Sequence, residues 1–98
     1  MKKKKKKARP RYEIVARIFR NTTMPLRDWK EQIATELREL GNSLDIHVNH
    51  SGKKAVIHIH TNAPEEVKII ITAFSKADTT PRFEEQDLEE QVREVQNV

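Results

Sequence analysis

The chain reads as a two-layer α+β sandwich of element order β-α-β-β-α, with the helices on one face of the sheet and an additional helix at the C-terminal end. Three observations predict it. Runs rich in Val, Ile and other strand formers alternate apolar and polar side chains with a period of two. Two further segments place apolar residues three and four apart, as one face of a helix does. Finally, 98 residues make one domain, able to bury roughly 60–65% of its unfolded surface. That allows a single core between two layers. Aromatics are 5% and charged residues 35%, so this core must be built from Ile, Val and Leu.

Residues 1–10 open with Lys at 2–7, which repel one another and bury nothing. They are expected to form a disordered basic tail. Residues 1–20 carry ten Lys and Arg against Glu13, or +9, while 21–81 come to −1 and 82–98 to −4. Basicity belongs to the tail, which fits a solvated extension or nonspecific attachment to an anionic partner.

RYEIVARIF is the first strand, with Tyr12, Ile14, Ala16 and Ile18 on the core face and Glu13, Val15 and Arg17 on the other. In NTTMPLRDW, Thr23 is expected as a helix cap and Pro25 in the first turn. Leu26, Trp29, Ile33, Leu37 and Leu40 then form the apolar stripe of a helix. Gly41 sits where a left-handed C-cap is expected. SLDIHVNH alternates again and leads to Ser51–Gly52, a candidate two-residue hairpin turn. That register pairs Val48 with Ala55, Ile46 with Ile57 and Leu44 with Ile59. Outside, His47 meets Val56 and Asp45 meets His58.

Asn62 and Glu65 have capping-box spacing, with Pro64 in the first turn of a second helix striped by Val67, Ile70, Ile71 and Phe74. A short edge strand is expected around Arg82 and Phe83. The domain is thus predicted over 11–83, and 84–98 as an acidic C-terminal helix or tail with Leu88, Val92 and Val95 as its thin seam. A ferredoxin-like order sets the first strand beside the third. Glu13, Arg17, Asp45, His47, His58 and His60 then share one open face.

Several functions lack their residues. Without cysteine there are no disulfides, thiolate ligands or cysteine nucleophile. No apolar run approaches the roughly 18–20 residues of a membrane span, and none follows the basic start as in a signal peptide. A cytoplasmic protein is expected. With no phosphate-cradling loop and no Ser-His-Asp logic, an enzyme is not expected. A small basic-tailed nucleic-acid-binding protein is the alternative reading. Its sheet would need exposed aromatics for base stacking, and Phe19 is the only true aromatic there.

LGNSLDIHV at 40–48, AVIHIHT at 55–61 and NAP at 62–64 carry a family resemblance. Residues 40–67 resemble the middle domain of the bacterial fatty acid kinase subunit. In that family a dihydroxyacetone-kinase-like ATP-binding domain is joined to further domains and works with a DegV-type fatty-acid-binding partner. The family pattern runs L-G-D-S-L-V-V-V, a turn, V-K-V-H-V-H-T, then D-x-P and a helix. RYEIVARIF is similar to the family's opening strand, Y-C-T-E-F, and RFEEQDLEEQ more faintly to its I-E-N-M-x-x-Q stretch. The nucleotide-binding domain and its acidic metal-phosphate loops are absent, so kinase activity is not carried over. The resemblance implies a non-catalytic scaffold that holds kinase-family domains, engages the DegV-type protein, or forms a homodimer.

It also implies a zinc site. The family Cys of the first strand, which with two strand histidines makes such a site, aligns with Glu13 here, and the family Asp after L-G is Asn42. Alternation lets His58 and His60 reach one ion above the sheet, with Glu13 in place of the thiolate. His47 or a water completes the shell, and Asp45 is the candidate to hold an imidazole from behind. The same residues equally suit a protein-contact face or a polar face that holds nothing.

Overall fold

Alternation in the first run decides the layering. In the computed structural model, which describes residues 9–90, β1 (Tyr12–Phe19) buries Ile14, Ala16 and Ile18 and turns Glu13, Val15, Arg17 and Phe19 outward. It is followed by α1 (Leu26–Arg38), β2 (Gly41–Val48), β3 (Lys54–Thr61), α2 (Pro64–Ala73) and β4 (Arg82–Asp87). The sheet order is β2-β3-β1-β4, and every neighbouring pair is antiparallel. This arrangement is compatible with the expected ferredoxin-like sandwich.

The core lies between the inward face of the sheet and the two helices. Ile14, Ala16, Ile18, Ala55, Ile57 and Ile59 meet Trp29, Ile33, Leu37, Val67 and Ile71. Most of these side chains are fully buried, the Ile, Leu and Val residues contributing roughly 1.5–3 kcal/mol each relative to exposure. The two helices are locked at one end by Trp29. Its indole N–H donates to the Phe74 carbonyl at 2.8 Å, and the two rings meet edge to face with centroids 6.5 Å apart.

The ends of the elements differ from the sequence expectation, each for a local reason. Thr23 is not a cap. Its N–H and hydroxyl both donate to the Asn21 carboxamide, at 3.0 and 2.7 Å, and Pro25 takes the cap position. Asn62 is not a cap either. Its Oδ1 accepts Arg11 N–H at 2.8 Å, while the Thr61 hydroxyl accepts Ala63 N–H. Gly41 belongs to β2 and is needed for close approach, because a Cβ there would fall 2.1 Å from the His60 carbonyl oxygen.

Between β2 and β3 the pairs Val48–Ala55, Ile46–Ile57, His47–Val56 and Asp45–His58 form as expected. The loop is wider than two residues. Gly52 N–H donates to the Asn49 carbonyl at 2.9 Å, and the Asn49 side chain accepts from Lys53 and Lys54. Leu44 does not face Ile59 in a plain ladder. The register shifts between Asn42 and Asp45, so Ser43 and Leu44 together stand against Ile59 as a bulge, with Ser43 at φ 55°.

The largest correction is at the C-terminal side. Residues 84–87 are strand, and the folded sheet therefore runs past the boundary expected at 83. The acids are accommodated by cations. Arg17 pairs with Glu84 at 2.5 Å, Lys68 with Glu85 at 2.7 Å, and Arg11 with Asp87 at 2.8 Å. Asp87 also accepts the N–H groups of Glu89 and Glu90, starting a helix at residue 88. The remainder of the expected C-terminal helix, and the basic tail before Arg9, lie outside the described residues.

Candidate metal centre

The ladders arrange the open face in rows. Asn42, His60, Glu13 and Gln86 lie across the four strands in the first, and Asp45, His58, Val15 and Glu84 in the second. His47, Val56, Arg17 and Arg82 form the third. Period-two alternation on β1 and β3 thus brings Glu13, His58 and His60 together, as the sequence predicts.

Glu13 Oε2 lies 2.5 Å from His58 Nε2 and 3.7 Å from His60 Nε2. One ligand atom from each of the three residues falls within 4.8 Å of the others. The imidazoles meet nearly edge to face, centroids 5.0 Å apart. All three side chains are part-buried, between 24% and 32% exposed, so an ion there would stay open to solvent.

Hydrogen-bond logic sharpens the chemistry. His58 Nδ1 faces the Ser43 carbonyl at 3.2 Å. A carbonyl only accepts, so Nδ1 carries a hydrogen and donates. His58 Nε2 and the Glu13 carboxylate then need a cation between them. A shared proton or a metal ion fills that role. Ligands of a tetrahedral zinc, bonded at about 2.0–2.1 Å, stand about 3.3 Å apart. The 2.5 Å contact must open by less than an ångström, and the 3.7 Å contact close slightly. With all three ligand atoms within 4.8 Å of one another, the donor set fits a divalent metal.

The other two expected site residues are placed differently. His47 lies one row away, opposite Val56, and is not part of the cluster. Asp45 stands opposite His58, but the backbone of Ser43 takes the Nδ1 contact assigned to it. The bulge turns that carbonyl toward the ring. Sequence reasoning missed it because alternation carries no signal for one extra residue. The only hint was the Gly41-Asn42-Ser43 run at the strand start.

Fold and cluster together define a small antiparallel α+β domain whose open face can hold a metal ion. No family model, no curated protein and no solved structure matches the chain. Among the described residues, no helix is long and apolar enough to cross a membrane.

Proposed function

We propose that this chain is a non-catalytic accessory domain that binds zinc through Glu13, His58 and His60 and serves as a scaffold for neighbouring domains or a second copy. The observation that carries this reading is the convergence of one carboxylate and two imidazole acceptors on a solvent-facing sheet. Two imidazole nitrogens and one carboxylate oxygen form a ligand set that zinc accepts with a fourth position open. A bound ion would tie β1 to β3 and offer a Lewis-acidic contact to a partner side chain or water. The scaffold half rests on the resemblance of residues 40–67 to the fatty acid kinase middle domain. On that reading the partners are kinase-family domains and a DegV-type fatty-acid-binding protein.

Metal content of protein purified without chelators or affinity metals tests the site. Near-stoichiometric zinc is expected, and His58→Ala combined with His60→Ala removes it. Zinc at a hundredfold excess over its Kd adds about 2.7 kcal/mol, raising Tm by on the order of 10 °C. No bound zinc and no change in Tm would sink the reading. Light scattering tests the pairing: a monomer at high concentration counts against a scaffold made of two copies.

A further inference from the structure

The opposite end of the same sheet face carries a different chemistry. Phe19, six residues along β1 from Glu13 and so about 20 Å away, is 45% exposed. Lys54 is its cross-strand partner on β3, and the ammonium lies 5.4 Å from the ring centroid. Together they form a ridge between two open depressions of about 270 and 280 Å³. Arg17, Lys54, Arg82, Val56 and Thr80 help line the first, and Lys53, Lys76, Ser51 and Thr22 the second. No carboxylate lines either one.

The backbone that carries Lys53 and Lys76 is fixed by the fold. Lys76 N–H donates to the Phe19 carbonyl at 2.8 Å, and Arg20 N–H donates to the Lys53 carbonyl at 2.7 Å. Arg20 itself is buried and bonds the carbonyls of Gly52 and Met24, at 2.6 and 2.9 Å. This fastens the β2–β3 loop, with Lys53, against the end of β1. Arg17 is engaged by Glu84. Lys53, Lys54, Lys76 and Arg82 are exposed, and no carboxylate pairs with any of them among the described residues.

We propose that this end of the sheet binds single-stranded nucleic acid, with a base stacked on Phe19 and the flanking phosphates on Lys53 and Lys76 to one side and Lys54 and Arg82 to the other. An exposed aromatic between cations that lack carboxylate partners suits a ligand alternating flat rings with negative charges. A duplex hides its rings from such a ridge. An acidic peptide would use the cations and have no need of the aromatic. The surface is separate from the metal centre and stands or falls without it.

The test is fluorescence anisotropy of a labelled ten-nucleotide oligouridine titrated with the full chain, in chelator, across a salt series. Phe19→Leu, which keeps apolar bulk, weakens binding by about tenfold through lost stacking. Lys53→Gln together with Lys76→Gln reduces the slope of log K against log salt by about 1.4, the value for two phosphate contacts on a single strand. Both effects persist when the lysines of residues 2–7 are replaced by glutamine in the full-length chain. Affinity unchanged by the Phe19 and Lys53/Lys76 replacements overturns the proposal, as does binding abolished by replacing residues 2–7 alone. Equal affinity for an abasic oligomer, or binding to anionic vesicles without binding to oligouridine, overturns it as well.

Discussion

Glu13 is paired with His60 across the β1–β3 ladder, yet its carboxylate bonds the diagonal residue, His58, at 2.5 Å, with His60 3.7 Å away. The Ser43 carbonyl accounts for the choice. It fixes the His58 ring by accepting from Nδ1, so that Nε2 is presented to the carboxylate. Glu13 is thus the hinge of the cluster, its carboxylate within reach of both imidazoles.

Replacing that carboxylate by a softer ligand should strengthen zinc binding. Glu13→Cys is expected to raise zinc affinity by about tenfold, since thiolate favours zinc over harder cations. Competition with a chromophoric chelator reads the change. Affinity equal to that of the unmodified chain would mean that residue 13 does not touch the ion.

The bulge makes two separable predictions. Ser43 has φ 55°, a left-handed conformation that costs a non-glycine residue about 1–2 kcal/mol. Ser43→Gly should therefore stabilise the fold by about 1 kcal/mol in urea unfolding, leaving zinc affinity unchanged. Deleting Ser43 restores a plain ladder and removes the carbonyl from His58. Zinc affinity should then drop about 10–100-fold.

Gly41→Ala forces a methyl group to within 2.1 Å of the His60 carbonyl oxygen and 3.1 Å of Ile59 Cγ1. The obstacle is the backbone of β3, an interior strand held by β2 on one side and β1 on the other, which has little room to yield. A loss of about 2–3 kcal/mol is expected, visible as a lower urea midpoint at unchanged m-value. Because the clash falls on His60, zinc affinity should decline with it.

Acid should release the segment before β1. A side-chain hydrogen bond from Arg11 holds the Asp87 carboxyl below its ordinary range, and the same bond raises the Arg11 guanidinium. A depressed native value means stability that is present above the unfolded carboxylate value, about 3.9, and lost as pH falls through the native one. Amide exchange at Arg11 and Leu88, whose N–H groups bond Asn62 and the Arg11 carbonyl, should quicken below about pH 4. Asp87→Asn should make that exchange pH-independent once the intrinsic rate is removed. Exchange in the unmodified chain that tracks the intrinsic rate alone would contradict the account.

Much of this was legible in the sequence. Strict alternation on β1 and β3 placed Glu13, His58 and His60 on one face, and the Trp29–Ile33–Leu37 stripe placed the helix layer over the other. Element ends were less legible because several side-chain acceptors compete for the same N–H groups, and several N–H groups for one acceptor. Thr23 is drawn to Asn21 and Asn62 to Arg11, while Thr61 accepts from Ala63 N–H, so neither expected cap residue caps its helix. The start of β4 at Arg82 and Phe83 was legible, but its acidic continuation was not. EEQD reads as a solvated helix until Arg17, Lys68 and Arg11 are known to stand beside its acids. The role of Ser43 depends on a single inserted residue, and the period of a strand cannot announce it.

The most direct measurement is the zinc K-edge fine structure of the loaded chain beside His60→Ala. The account predicts light nitrogen and oxygen neighbours at about 2.0–2.1 Å with the outer-shell scattering of two imidazoles, and a single imidazole in the variant. A hydrated ion with no imidazole scattering, or a spectrum that His60→Ala leaves unchanged, would contradict it.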